Sequence, residues 1–295
     1  MKSKHKIRTS LAHDYRVSKG SKFRLDDFDP ADTNDFKSDK DADEMLKAGI
    51  KLMKDLQRKL YAQDKWSLLL IFQAMDAAGK DGTISHVMSG VNPQGCQVTS
   101  FKTPSSTELN HDFLWRSNVA LPERGRIGIF NRSFYEDVLV VRVHEELLKA
   151  ERLPEKLVKK HIWKERFEDI RAHERYLTRN GVVIRKFFLH VSKAEQKRRF
   201  LSRLEDSTKN WKFSASDMKE RAYWKEYQDA YEDLIRNTAT KQAPWYVVPA
   251  DNKWFTHLVV ASAIIETLDS LGLEWPEVTD EQRKLLQDAR KALEK

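Results

Sequence analysis

A lysine that directly follows a glycine, at the end of a short apolar run, is able to do phosphate chemistry, and Gly79-Lys80 stands in such a place. The stretch Ala74 to Lys80, AMDAAGK, has the length and ending of a phosphate-binding loop. In such a loop the backbone N–H groups of Ala77, Ala78, Gly79, Lys80, Asp81 and Gly82 face an anion, and the lysine supplies a point charge. Two positions depart from the general pattern. Ala74 replaces the first glycine, and Asp81 replaces the Ser/Thr whose hydroxyl holds magnesium. As a bare pattern the stretch also describes a glycine-containing turn between a strand and a helix. Its setting favours the loop: Trp66 to Phe72 reads as a strand buried on both faces, and Thr83 to Met88 as the start of an amphipathic helix.

A second set of chemical residues lies in GIFNRSFYEDVLVVRV, Gly128 to Val143. Asn131 holds the place where an aspartate often ends the third strand of such enzymes, and Glu136 and Asp137 follow. One or two carboxylates together with phosphate oxygens suit magnesium. The same acids also suit an ordinary helix start, where the macrodipole favours negative charge. Arg132, at the end of a buried strand, offers a fork-shaped ligand for anionic oxygens. A third set is basic. Arg198, Arg199 and Arg203 accompany an inner stripe of Phe200 and Leu204, and Lys209 and Lys212 flank Trp211 in a break between helices. This hairpin, about residues 193–225, is either a solvated charged surface or a lid that brings cations onto a phosphoryl group.

The elements that must position these residues alternate along the chain. After a polar arm over residues 1–40, Leu46, Ile50, Met53, Leu56 and Leu60 recur at helical spacing. Gln97 to Phe101, Arg126 to Phe130, Val182 to His190 and Trp245 to Val248 read as further strands. Ser105 to Glu108 is a capping box opening a helix through Leu109, Phe113 and Leu114. Pro154 starts a long helix ending near Arg179, before Gly181. Ser192 caps the basic helix, and a last core helix passes through Val259 and Ile265. The alternation predicts an α/β fold of the phosphate-loop kinase type, with a parallel sheet of about five strands, flanking helices and a helical lid. Residues 41–277 would form this domain, and 278–295 a charged helical tail carrying Leu285, Leu286, Ala289 and Leu293.

At 295 residues the chain is long enough for a substantial core. Its net charge of +8 favours polyanionic partners: nucleotides, nucleic acid, phosphate polymers or acidic membranes. A single cysteine, Cys96, excludes an intramolecular disulfide or a cysteine-rich zinc site. The basic N-terminus lacks the apolar run of a signal peptide, so a cytoplasmic location is expected.

With these stretches in place the chain resembles the family 2 polyphosphate kinases, in the subgroup that accepts nucleoside mono- and diphosphates. QAMDAAGKDGTI, SFKTPSSTEL, IFNRSFYEDVLVVRVH, KFFLHVSKAEQKRRF, WKFSASD and APWYVVPADNKWF carry the likeness, which covers about Phe28 to Pro276 in unbroken order. The family shows the same Ala74 and Asp81 departures. The resemblance implies that Asp76 and Lys80 serve magnesium and phosphate. It places the third-strand carboxylate on Asp137, a second metal ligand, with Asn131, Arg132 and Glu136 near the nucleotide phosphates. It implies that Arg198, Arg199, Arg203, Lys209 and Lys212 contact polyphosphate. The implied cofactor is Mg2+, with Mn2+ as a substitute. The implied partners are inorganic polyphosphate and AMP, ADP, ATP or guanine nucleotides, without nucleic acid or membrane, in a homo-oligomer. Asn131, neutral where an aspartate would repel an incoming anion, leads us to expect that AMP and ADP are both phosphorylated in one site. An ATP-dependent kinase on the same fold and a polyanion-binding protein without activity are the alternatives.

Overall fold

The structure is a computed structural model that describes residues 9–294, except the side chains of Thr9, Ser10, Asp41 and Lys212. The first eight residues of the expected arm lie outside the described residues. Arg16–Val17 forms β1, and Asp39–Gln63 forms α1. There follow β2 (Ser67–Ala74), α2 (Lys80–Val87), β3 (Cys96–Ser100), the short α3 (Trp115–Asn118), β4 (Ile127–Asn131), α4 (Glu136–Val143) and α5 (Ile162–Arg179). The chain continues through β5 (Val182–His190), α6 (Lys193–Glu205), α7 (Ala215–Ala222), α8 (Trp224–Thr238), β6 (Trp245–Pro249), α9 (Lys253–Asp269) and α10 (Asp280–Leu293).

The strands make one sheet in the order β1-β6-β5-β2-β4-β3, parallel throughout except for β1. β2 lies in the middle, between β5 and β4, with Leu68, Leu69, Leu70 and Ile71 fully buried. Helices on both faces explain why such a strand is apolar without alternation. The core helix α9 is likewise buried nearly all round, from Phe255 to Leu268. Strands β2, β4, β5 and β6 end on the same side, which puts the turns after Ala74, Asn131, His190 and Pro249 next to one another. Ligands bind at that edge of a doubly wound sheet.

Several local expectations are corrected. The sheet has a sixth strand, the two-residue β1, and around it Leu11, Tyr15, Val17, Phe23 and Leu25 are buried in the main core. The Ser105 box does form, with Glu108 accepting from the Ser105 N–H at 2.6 Å, but it closes only the 3-10 turn Glu108–Asn110. Pro154 precedes a single 3-10 turn, Glu155–Leu157, and the long helix begins at Ile162. Leu204 is not part of the inner stripe of α6: it is exposed, and Gln196, Arg199 and Phe200 are the residues turned inward. Residues 274–294, including all of α10, are exposed.

Candidate active site

Between β2 and α2 the backbone makes a tight loop in which Ala77 (φ 61°) and Gly79 (φ 97°) both take left-handed conformations. Glycine does this freely, whereas alanine does so at a cost of about 1–2 kcal/mol that the surroundings must offset. Gly79 is the N-cap of α2, so the first N–H groups of that helix, at Lys80, Asp81 and Gly82, have no carbonyl within the helix to bond. These N–H groups and the positive end of the helix face an open cleft of about 570 Å³.

Lys80 is largely buried on the floor of the cleft, and its Nζ donates to Asn131 Oδ1 at the end of β4. The Asn131 amide in turn donates to Asp81 Oδ1 at 2.8 Å. A carboxamide does both at once, its oxygen accepting from the ammonium and its N–H2 donating to the carboxylate, whereas an ionised aspartate at this position could only accept. Asn131 therefore holds Lys80 and Asp81 in place, a role that the sequence reading, which took it as a neutral residue near the nucleotide phosphates, did not include. Burial lowers the Lys80 pKa; the nearby Arg132 guanidinium adds to this, and Asp81, Glu136 and Asp76 oppose it.

Arg132, also left-handed at φ 65°, turns its guanidinium to two acids. Its NH2 lies 3.4 Å from Asp76 Oδ1 and its NH1 3.9 Å from Glu136 Oε2. Glu136 is fixed from behind by Gln73, whose amide donates to it at 2.7 Å. These carboxylates, Glu136 above all, hold the arginine firmly protonated. Behind this turn Tyr135 donates to Glu174 at 2.6 Å, and the fully buried Lys186 donates to the same carboxylate at 2.8 Å, so the start of α4 is anchored to β5 and α5.

The expected metal pair does not assemble. Asp76 lines the cleft with its side chain about one-third exposed, whereas Asp137 is buried on the far side of α4. The Asp137 carboxylate shares a small pocket with Glu151 and Arg116 and leaves Oδ2 without a partner among the described residues. Burial, with Glu151 adding to it, pushes its pKa up to about 7. The donor set at the cleft still fits a hard cation. Asp76 offers a carboxylate beside the phosphate loop, and no group of three or more His, Cys, Asp or Glu side chains among the described residues makes a protein cage. That is the environment magnesium uses when phosphate oxygens and water complete its shell.

The roof comes from the basic hairpin. Arg198, Arg199, Arg203 and Lys209 line the cleft together with Trp211, and Lys253, at the first turn of α9, lines it from below. Lys253 was missed in the sequence. Its signal was its place just after a core strand, at the end of the sheet where ligands bind. Burial depresses its pKa, and the neighbouring Arg199, Arg198 and Lys209 depress it further. Arg203 lies 3.6 Å from Asp217 and Lys209 2.5 Å from Asp206, while Arg198 makes a two-pronged contact to Glu195 at 2.6 Å. Arg199 differs from them in being buried beneath the loop. The side chain of Lys212 lies outside the described residues.

Comparison with known proteins agrees with this geometry. Residues 35–274 match the family Polyphosphate kinase 2 (PPK2). The chain is 50% identical over 280 residues to the ADP-polyphosphate phosphotransferase of Rhodopseudomonas palustris, covering 95% of this chain and 97% of the relative. It is 43% identical over 273 residues to the AMP/ADP-polyphosphate phosphotransferase of Meiothermus ruber, covering 92% and 98%. The crystal structure of polyphosphate kinase 2 from Arthrobacter aurescens TC1 superposes with a TM-score of 0.85 at 40% identity, over 94% of this chain and 96% of that one. With the family model matching most of the chain and these relatives aligned over more than nine-tenths of it, the chain belongs to the polyphosphate kinase 2 family.

Proposed function

We propose that the protein transfers phosphoryl groups between inorganic polyphosphate and nucleoside mono- and diphosphates, converting AMP to ADP and ADP to ATP, reversibly. The observation that carries this is a single cleft with a phosphate loop as its floor and lid cations as its roof. Two relatives named as ADP- and AMP/ADP-polyphosphate phosphotransferases support it. A polyphosphate strand bears about one charge per unit, and a groove of cations holds it as a basic groove holds a nucleic-acid backbone.

In the reaction an oxygen of the acceptor's terminal phosphate attacks the end phosphorus of the polymer. The new P–O bond forms as the bridging P–O bond breaks, and the bridging oxygen keeps the electron pair as the new end of a chain one unit shorter. That nucleophile is already anionic, so no strong base is needed, and catalysis rests on positioning and on neutralising charge. Lys80 and the loop N–H groups face the transferred group. Arg132, aimed by Asp76 and Glu136, bridges acceptor and transferred phosphates. Arg203, Lys209 and Lys253 hold the polymer beyond. Mg2+, with Mn2+ able to replace it, would sit at Asp76 and shield phosphate charge.

The Asn131 link between Lys80 and Asp81 bears on acceptor choice. With asparagine no carboxylate stands where the shorter acceptor must advance, and the floor lysine stays in register for either length. The test is nucleotide analysis after mixing the protein with magnesium, long-chain polyphosphate and either AMP or ADP, beside a parallel series with ATP as donor. ADP and then ATP should appear from AMP with polyphosphate alone. Transfer from ATP only would assign the cleft to an ATP-dependent kinase.

A further inference from the structure

The basic residue with least access to substrate is Arg199, and its surroundings define a different task. Its side chain is 7% exposed, and all five of its N–H donors are occupied. Nε donates to Glu195 Oε1 at 2.7 Å. NH1 donates to the carbonyls of Ala77 and Ala78 at 3.0 and 2.7 Å. NH2 donates to the carbonyls of Ala250 and Asp251 at 2.5 and 3.0 Å. A guanidinium so engaged has no donor left for a phosphate oxygen, and it shares the Glu195 carboxylate with Arg198. One helical turn earlier, the Gln196 amide donates to the carbonyl of Asp76 at 2.9 Å, and Arg221 of α7 donates to the Gln196 oxygen at 2.6 Å.

We infer that Arg199 and Gln196 are positioning residues, which set the anion-binding geometry of the phosphate loop from the inner face of α6. Three successive loop carbonyls, those of Asp76, Ala77 and Ala78, are drawn back onto this helix. A peptide plane whose C=O is held on one side presents its N–H to the other, so the Ala77 and Gly79 N–H groups turn towards the cleft, while the Ala78 N–H donates to the Met75 carbonyl at 3.2 Å and closes the loop on itself. The same bonds hold Ala77 and Gly79 in their left-handed conformations, with the Arg199 guanidinium at van der Waals distance, 3.5 Å, from where a Cβ on Gly79 would stand. Because the guanidinium also takes the two carbonyls after β6, it joins the turns at the ends of β2 and β6. The Arg221 to Gln196 to Asp76 chain connects the lid to the loop without passing through substrate.

This inference rests on the phosphate-transfer reading of the cleft, and the test uses whichever phosphoanhydride donor the wild type turns over, polyphosphate or ATP. Failure of polyphosphate as the donor is thereby separate from failure of the brace. Arg199→Lys and Arg199→Gln are to be compared with Arg203→Gln for kcat, for donor KM and for the salt dependence of that KM. A misplaced loop should lower kcat by about a hundredfold and leave donor KM within about twofold, with the salt slope unchanged. Added guanidinium ion should restore part of the kcat of Arg199→Ala, since the cavity and its carbonyls persist. If the Arg199 variants do not fold, Gln196→Met carries the test, with a smaller loss of kcat and the same unchanged KM. Raised KM with a shallower salt slope and intact kcat would make Arg199 a ligand for the donor. Unchanged kcat in a folded Gln196→Met and a folded Arg199 variant would overturn the brace altogether.

Discussion

The phosphate loop and the lid rim are both built to meet phosphate, yet they are held in opposite ways. The loop residues Ala77 and Ala78 are 8% and 2% exposed, and their carbonyls are bonded from behind by Arg199, as that of Asp76 is by Gln196. The side chains of Arg198 and Lys209 on the rim are 70% and 52% exposed, and their partners are acids of their own surface. Chemistry needs donors fixed within a fraction of an ångström, because charge builds up at one phosphorus. Holding a repeating polymer needs charge at the right spacing, and an exposed side chain that swings from an acid to a phosphate supplies it at little cost. Position in the cleft therefore predicts what the loop and rim cations do: Lys80, buried in the floor, governs rate, and Arg198 and Lys209, exposed on the rim, govern affinity.

The comparison is broken most sharply at Lys80. Lys80→Met should leave the fold intact and lower kcat by about two to three orders of magnitude, the scale of losing one preorganised charge at the reacting group. Near wild-type turnover in a folded variant would remove the loop from the chemistry. Next in size is Asn131→Asp, which puts a second carboxylate where the amide now lies 2.8 Å from Asp81. It should disturb Lys80, lower both specificity constants, and lower that for AMP by about tenfold more than that for ADP, through one added charge beside the shorter acceptor. An unchanged ratio would take Asn131 out of acceptor choice.

The smallest effect concerns Asp137, on the side of α4 away from the cleft. A carboxyl whose pKa is raised to about 7 on folding contributes most below its ordinary pKa near 3.8, and that contribution is lost as pH rises through 7. Asp137→Asn keeps a neutral side chain, so it should raise the melting temperature at pH 8 by a few degrees and change it little at pH 4. A lower melting temperature at pH 8 would show that the ionised form is stabilised in the fold. Loss of magnesium affinity in that variant would return Asp137 to the metal site.

How much of this was legible follows from the physics of each segment. β2, β4 and β6 are covered on both faces, so they read as largely apolar runs, as does β5 around its Arg185-Lys186 pair, and the loop after β2 carries its own glycine and lysine. β1 was not legible: two residues on a sheet edge make no periodic pattern, and the burial of Tyr15 and Phe23 depends on distant α8 and α9. The capping box at Ser105 was legible as chemistry, but its bonds close one turn whether or not a helix follows. Asp137 was misplaced because it adjoins Glu136, and successive helical residues point about 100° apart, so one faces the cleft and the other the interior. Arg199 was grouped with its neighbours by charge, although Glu195 four residues earlier marked a paired position on α6. No local signal could reveal that its other partners come from residues 77, 78, 250 and 251.

The division of labour between the two sides of the cleft is tested most directly by the salt dependence of the Michaelis constant for polyphosphate, in the wild type and in Arg198→Gln with Lys209→Gln. The double variant should show a raised constant, a slope of log KM against log salt shallower by about 1.4 for two lost phosphate contacts, and kcat close to wild type. A fall in kcat with the constant and its slope unchanged would contradict the account, because it would place rate control on the exposed rim.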